Sequence, residues 1–277
     1  MTSLSHDLQY ATDLARGAGK IVLEHYGKVE RLTKTHAAAS DEAVTDADRA
    51  SQRFIVAGLR KRFADDGIVG EESETGSSIT FECTHPRGRN WVIDPIDGTN
   101  NFIAGLGNFC VCIGLLDEGY PILGVVYDVT RDVMYSAARG LGAWEGSRKM
   151  EALPTPLSDA SMIMFTSNLL TGGRCPNWAC EFLTQQTWKM RILGSAALEA
   201  VYVAAGVAHG AITVNGKLWD VAAAAALVLE AGGTMTDLSG KSIFPFDLAN
   251  YGGAKVPFLA AGGAAHAALL KMITDYP

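Results

Sequence analysis

Apolar residues recur at helical spacing from the start of the chain. Leu8, Ala11, Ala15, Ala18 and Val22 share one face of a predicted helix over Leu4 to Gly27, with Gly27 placed to stop it. Residues 31–43 (RLTKTHAAASDEA) carry no period and read as a loop. The helical period resumes at about Thr45, the expected N-cap, and runs to Phe63 with Ala47, Ala50, Phe54, Ile55 and Leu59 as its apolar face. Short apolar runs follow. Ile68-Val69 and Trp91-Val92-Ile93 have the length of buried strands. Phe109 to Leu116 and Pro121 to Asp128 flank Asp117-Glu118-Gly119-Tyr120, which is hairpin chemistry. Asp132 to Ala137 and the Gly-rich GLGAWEG predict two more antiparallel strands.

The period disappears over Glu151 to Ser161 (EALPTPLSDAS), where Pro and Ser mark a connector between two halves, 1–150 and 151–277. The first half is mixed helix and sheet. The second alternates: a strand over Ser161 to Phe165, a helix over Cys180 to Gln186, and Ala-rich helices over Ala196 to Ala205 and Val221 to Ala231 around a strand from Ala211 to Val214. That alternation predicts an α/β fold. No internal repeat or low-complexity tract is visible.

Composition narrows the class. At 277 residues and 48% hydrophobic, the chain has the material for a large core. Its net charge of −7 and pI near 5.4 argue against a nucleic-acid partner, since counterion release needs a basic surface. The N-terminus MTSLSHDLQY has neither the basic nor the apolar region of a signal peptide, and no stretch has the length of a membrane span. With five cysteines, an odd number in a chain too large to need staples, the expectation is free thiols and a cytoplasmic protein. Cys110 and Cys112 fall on one face of a strand but lack a second pair or a His partner, so they read as core thiols.

The chemistry concentrates in acids at the junctions of apolar segments with helices or turns: VTDAD, VGEES, IDPIDGT and LWDVAA. In WVIDPIDGTNNF the apolar strand leads into Asp94, with Asp97 three residues on and Gly98-Thr99 immediately after. This reading puts Asp94 at the strand's carboxyl end, where open α/β sheets place ligands, and leaves the Gly98 and Thr99 amides free to face an anion. Each acid alone has a plainer explanation: Asp48 near a capping-box position, Asp220 at the positive end of a helix, Glu71 and Glu72 as solvated loop acids. Four such junctions in one chain argue that they converge. Carboxylates beside a phosphate need a cation between them, and an oxygen-only ligand set suits Mg²⁺.

The combination of GEE, WVIDPIDGTNNF, GSAALE, and WD before EAGG resembles the inositol monophosphatase family, and the resemblance spans nearly the whole chain. It implies a layered α/β/α/β/α sandwich that forms one catalytic unit, with most metal ligands in 1–150 and the site completed by 151–277. It implies a Mg²⁺-dependent, lithium-sensitive phosphomonoesterase of a small alcohol (polyol or sugar) monophosphate such as inositol monophosphate, working as a cytoplasmic homodimer. Carried over by position, one ion would be bound by Glu71, Asp94 and the carbonyl of Ile96, a second by Asp94, Asp97 and Asp220, and a weaker third near Glu71. Thr99, paired with Asp48, would orient the attacking water and accept its proton, with Glu71 as the third catalytic residue. Asp97, Gly98, Thr99, Gly194, Ser195, Ala196 and Thr213 would contact the substrate.

Departures from the family pattern bear on the substrate. Thr213 stands where inositol-specific relatives usually place a Glu, and Ala104 replaces a commonly seen His. Lys34, Arg174, Arg191 and Lys217 are the candidates for a second anionic group. Two alternatives stay open: a related phosphatase specialised for fructose 1,6-bisphosphate, histidinol phosphate or a nucleotide 3′-phosphate, and a non-catalytic regulatory protein that keeps the metal–phosphate site.

Overall fold

A computed structural model describes residues 3–28, 46–73, 80–82, 85–169, 174–184 and 187–276. The predicted loop 31–43, Lys34 and the predicted cap Thr45 lie outside them.

Helices α1 (Ser3–His25) and α2 (Asp46–Arg62) come first. Strands β1 (Gly67–Gly70), β2 (Thr80–Glu82) and β3 (Asn90–Asp97) precede the short helix α3 (Thr99–Ala104). Next come β4 (Cys110–Asp117), β5 (Tyr120–Asp128), β6 (Val133–Ala138), β7 (Gly142–Glu145) and β8 (Arg148–Met150). These eight strands form one sheet in the order β2-β1-β3-β4-β5-β6-β7-β8, antiparallel except for β1 beside β3. The predicted hairpin closes tightly: Asp117 pairs with Tyr120, and Glu118 and Gly119 both take positive φ (51° and 77°), the conformation a two-residue turn demands.

The rest of the chain supplies β9 (Met162–Phe165), α4 (Asn177–Thr184), β10 (Lys189–Arg191), α5 (Ala196–Ala204) and β11 (Gly210–Thr213), then α6 (Leu218–Glu230), β12 (Gly233–Thr236), β13 (Phe258–Gly262) and α7 (Gly263–Asp275). Its five strands form a second mixed sheet, β10-β9-β11-β13-β12.

Alternation along the strands sorts their side chains into three cores, and the cores define five layers. Trp91, Ile93, Val111, Ile113, Leu123 and Val125 face α1 and α2. Val92, Cys110, Cys112, Leu116 and Val126 face the other way, onto α5 and α6, which Met164, Ala211, Phe258 and Ala260 of the second sheet cover from beyond. Ile163, Phe165, Ile212 and Leu259 point outward to α4 and α7. The result is the α/β/α/β/α sandwich expected from the resemblance. Its central layer explains the Ala-rich sequence of α6: a helix between two sheets is buried on every side, and Leu218, Trp219 and Val221 through Val228 all are. Gly114 and Gly124 let that helix come close. A Cβ added at Gly124 would sit 2.1 Å from the Ala223 carbonyl oxygen, and one at Gly114 would sit 2.9 Å from the Ala223 nitrogen.

Two sequence expectations change. The strand read as Trp91–Ile93 continues through Pro95 to Asp97, so Asp94 lies inside β3 rather than at its end. The register shows how: Asp94 pairs with Cys112 and Asp97 with Cys110, three residues against two, which is a β-bulge that accommodates the proline. In α2 the expected core positions Ala50 and Phe54 lie off the buried face, Phe54 being 40% exposed; Asp48, Ser51 and Gln52 are buried instead.

Candidate active site

The bulge decides the geometry. On a regular strand residues three apart face opposite sides, whereas Asp94 and Asp97 sit opposite Cys112 and Cys110, which share a face. Both aspartates therefore point toward the central helix layer. Glu71, just beyond the end of β1, lies beside them, its amide donating to the Ile93 carbonyl (3.3 Å). Asp220 enters from the first turn of α6, where its Oδ2 accepts the Lys217 amide at 2.8 Å. Carboxylate oxygens of Asp94, Asp97 and Asp220 lie within 4.8 Å of one another. The plainer readings of Asp220 and Glu71 thus fail: the cap is real, yet it also aims a carboxylate into the cleft.

Burial raises the Asp94 carboxyl well above the usual range, and Glu71, Asp220 and Asp97, in that order, push it further in the same direction. Asp94 is 1% exposed, and no Lys, Arg or His lines the cleft among the described residues. A group of hard oxygens this concentrated, with no cationic side chain to offset it, fits divalent cations of the Mg²⁺ class.

Each acid is held from behind. Asp97 caps α5: it accepts the Ser195 hydroxyl (2.5 Å) and the amides of Ala197 (2.8 Å) and Ala196 (3.3 Å). Asp94 Oδ1 accepts the Ile96 amide at 2.9 Å, which fixes its rotamer within the bulge. From the opposite side α2 presents Asp48, Ser51 and Gln52, a stripe at spacing i, i+3, i+4. Ser51 donates to the Pro95 carbonyl (3.1 Å), and Gln52 clamps the loop after β1 through the amide (3.0 Å) and carbonyl (2.5 Å) of Glu72. Asp48 lies 3.5 Å from the Thr99 hydroxyl, which also donates to the Ile96 carbonyl at 2.9 Å.

Gly98 joins β3 to α3 at φ 93°, and a Cβ there would meet the Asn108 carbonyl oxygen at 2.8 Å, so only glycine fits. The Gly98, Thr99 and Asn100 amides precede the first intrahelical hydrogen bond of α3, from Asn101 to the Gly98 carbonyl. Asn101 ties this turn to the far wall, donating to the carbonyls of Asn108 (2.8 Å) and Leu193 (2.7 Å). Opposite stand Gly194, Ser195 and Ala196.

The cleft therefore brings together Glu71, Asp94, Ile96, Asp97, Gly98, Thr99, Gly194, Ser195, Ala196 and Asp220, with Asp48 reaching Thr99 from behind. Thr213 does not line it. Its side chain is buried under the turn at Gly216, and its hydroxyl has no hydrogen-bond partner among the described residues. Arg174, Arg191 and Lys217 are also absent from the lining. Sequence reasoning missed Asn100, Thr166, Ser167 and Asn215. Thr166 and Asn215, bonded to each other at 2.6 Å, end β9 and follow β11, and only the pairing of those strands reveals that they meet. It also missed a role for Glu199, which lines the cleft, accepts the Leu193 (2.9 Å) and Gly194 (3.1 Å) amides, and is pushed up to about 8 by burial.

Comparison with known proteins gives a consistent result. The sequence profile of the inositol monophosphatase family matches residues 3–275. A Thermotoga maritima protein named fructose-1,6-bisphosphatase/inositol-1-monophosphatase is 32% identical over 97% of this chain and 96% of its own. A histidinol-phosphatase from Chlorobaculum parvum is 33% identical over 86% of this chain and 88% of its own. Among solved structures, Thermotoga maritima IMPase superposes with a TM-score of 0.82 at 31% identity, covering 98% of both chains.

Proposed function

This chain belongs to the inositol monophosphatase family and is a phosphatase of sugar or polyol phosphates, and on that premise we propose that the acidic cleft hydrolyses a small alcohol monophosphate with Mg²⁺ as its cofactor. One observation carries the assignment of the site: Glu71, Asp94, Asp97 and Asp220 converge on a cleft with no cationic side chain among the described residues, so an anionic substrate needs metal ions to enter.

In this reading Glu71, Asp94 and the Ile96 carbonyl would hold one ion, Asp94, Asp97 and Asp220 would hold a second, and Glu71 would contribute to a weaker third. Bound there, Mg²⁺ supplies Lewis-acid stabilisation of the charge that develops on attacking and leaving oxygens. Thr99 and Asp48 orient the attacking water, and Asp48 is the buried carboxylate to which its proton can pass. The Gly98 and Thr99 amides face the phosphate oxygens. Gly194, Ser195 and Ala196 form the wall on the alcohol side, where Thr166 and Asn215 add hydroxyl and amide groups that can hydrogen-bond a polyol. Halves 1–150 and 151–277 act as one unit, since Asp220 and the α5 cap of Asp97 come from the second while the other ligands come from the first. We place the protein in the cytoplasm as a homodimer; no helix among the described residues is long and apolar enough to cross a membrane.

The test is phosphate release from a panel of inositol monophosphate, fructose 1,6-bisphosphate, histidinol phosphate and a nucleotide 3′-phosphate. Hydrolysis of at least one is expected with Mg²⁺, abolished by chelator, restored by Mg²⁺ but poorly by Zn²⁺, and reduced by lithium. Full activity in excess chelator would contradict the proposal. No turnover of any member would favour the regulatory reading.

A further inference from the structure

Beside the oxygen-only cluster lie two thiols that the proposed reaction does not use. Cys110 and Cys112, both fully buried, occupy the face of β4 opposite Asp97 and Asp94. Their sulfurs are 3.6 Å apart, and the Cys110 sulfur lies 3.7 Å from Asp97 Oδ2 and 3.7 Å from the Ser195 hydroxyl oxygen. Ligand atoms of Asp97, Cys110 and Cys112 all fall within 4.8 Å of one another. Tetrahedral coordination with bonds of about 2.3 Å to sulfur separates two sulfur ligands by about 3.75 Å. The observed spacing matches that separation, not a disulfide, whose sulfurs are about 2.05 Å apart.

We propose that Asp97, Cys110 and Cys112 form a second metal site, selective for a thiophilic divalent ion such as Zn²⁺ or Cd²⁺, which inhibits the enzyme by taking Asp97 out of the Mg²⁺ cluster. Two sulfurs and one carboxylate oxygen suit such ions and exclude Mg²⁺, which demands hard oxygen ligands. Asp97 and Ser195 line the cleft and contact the Cys110 sulfur, whereas the two thiols are buried behind them, so entry from the cleft requires these side chains to move aside. A water or the Ser195 hydroxyl completes the coordination from that side. On binding, each thiol loses its proton to solvent and the ion takes the position now bridged by the Cys110–Asp97 and Cys110–Cys112 contacts. Asp97 is the shared corner of both groups, so the soft ion competes with Mg²⁺ through one carboxylate rather than by occupying the same position. The inhibitory part of this inference rests on the phosphatase reading; the binding part does not.

The test uses the full chain with Cys83, Cys175 and Cys180 changed to Ser, so that only the buried pair remains. Titration with Cd²⁺ in excess Mg²⁺ is expected to raise an ultraviolet thiolate-to-cadmium band that saturates at one ion per chain and is lost on Cys112→Ser, while equilibrium dialysis shows the matching loss of bound Zn²⁺. Phosphate release, each variant normalised to its own rate without Zn²⁺, should show a Zn²⁺ midpoint raised at least about tenfold by Cys112→Ser, about 1.4 kcal/mol. Cys110→Ala is the second variant should Cys112→Ser fail to fold. Absence of the band in the folded parent overturns the site. A band without a shift in the inhibition midpoint overturns the coupling through Asp97. Because the band needs no substrate, its failure is distinguishable from failure of the phosphatase reading.

Discussion

Thr99 has one hydroxyl proton and two acceptors, the Ile96 carbonyl at 2.9 Å and Asp48 at 3.5 Å. The nearer bond leaves the oxygen's lone pairs available to a water, and Asp48 is the carboxylate that could take the Thr99 proton as Thr99 takes one from that water. If these two side chains work as a unit, Thr99→Ala and Asp48→Asn should each lower kcat by about 10²-fold or more while leaving Mg²⁺ affinity nearly intact, and the double variant should be little worse than either single one. Kinetics on the three variants beside calorimetric Mg²⁺ binding check this; fully additive losses, or metal affinity collapsing in Thr99→Ala, would refute the assignment. At this scale the acids were legible in the sequence because each sits where an apolar segment meets a helix or a turn, which is a local signal. Thr213 was misjudged for a related reason: alignment with the family pattern gives a position along the chain, but burial under the Gly216 turn is set by how β11 leads into α6. Thr166 and Asn215 carry no local signal, since neither breaks the pattern around it.

The elements bring these residues together through two features that hydrophobic pattern describes poorly. One is the bulge in β3: the apolar run Trp91–Ile93 suggests a strand ending at Asp94, and only the pairing with β4 reveals that it continues past Pro95 with Asp94 and Asp97 on one face. The other is α2, where Asp48, Ser51 and Gln52 occupy buried positions that pattern reading assigned to Ala50 and Phe54. A helix that clamps an active site puts polar groups on its core face, and apolar periodicity misassigns that face. By contrast the Ala-rich helix read over Val221 to Ala231 corresponds to α6 at Leu218–Glu230, and a helix apolar on every side is buried in the middle. Its close approach gives a prediction at this scale. Gly124→Ala would press a methyl group into the Ala223 carbonyl, so it should destabilise the protein by at least about 2 kcal/mol. Because α6 carries Asp220, the same change should weaken Mg²⁺ binding although Gly124 is no part of the cleft. Urea unfolding and calorimetry on that variant test the two effects separately.

Across the whole molecule, two sheets share the central layer of α5 and α6, and the first turns of those helices deliver Ser195, Glu199 and Asp220 to acids carried by the first sheet. Burying acids there costs stability, and the cost has a pH signature. Glu199 titrates near 8 in the folded protein against an ordinary value of 4.5, so between those values the folded state keeps a proton that the unfolded chain has released. Stability of the metal-free protein should therefore fall as pH rises from about 4.5 to about 8 and then level, by several kcal/mol in all. Glu199→Gln, whose side-chain oxygen can still accept the Leu193 and Gly194 amides, should flatten that slope; an unchanged difference between pH 5 and pH 8 would contradict the buried, protonated carboxyl. The layered fold was legible from the family resemblance and from the alternation of helix and strand, whereas the pairing of β9, β11 and β13 depends on contacts distant in sequence and was not. The central claim is that the carboxylate cluster holds the cations on which hydrolysis depends, and Asp94→Asn tests it most directly, with Mg²⁺ binding by calorimetry and phosphate release measured on the same preparation. The account predicts that Mg²⁺ affinity falls sharply and that kcat drops by about 10²–10³-fold in a protein that remains folded; wild-type Mg²⁺ affinity together with a wild-type rate would contradict it.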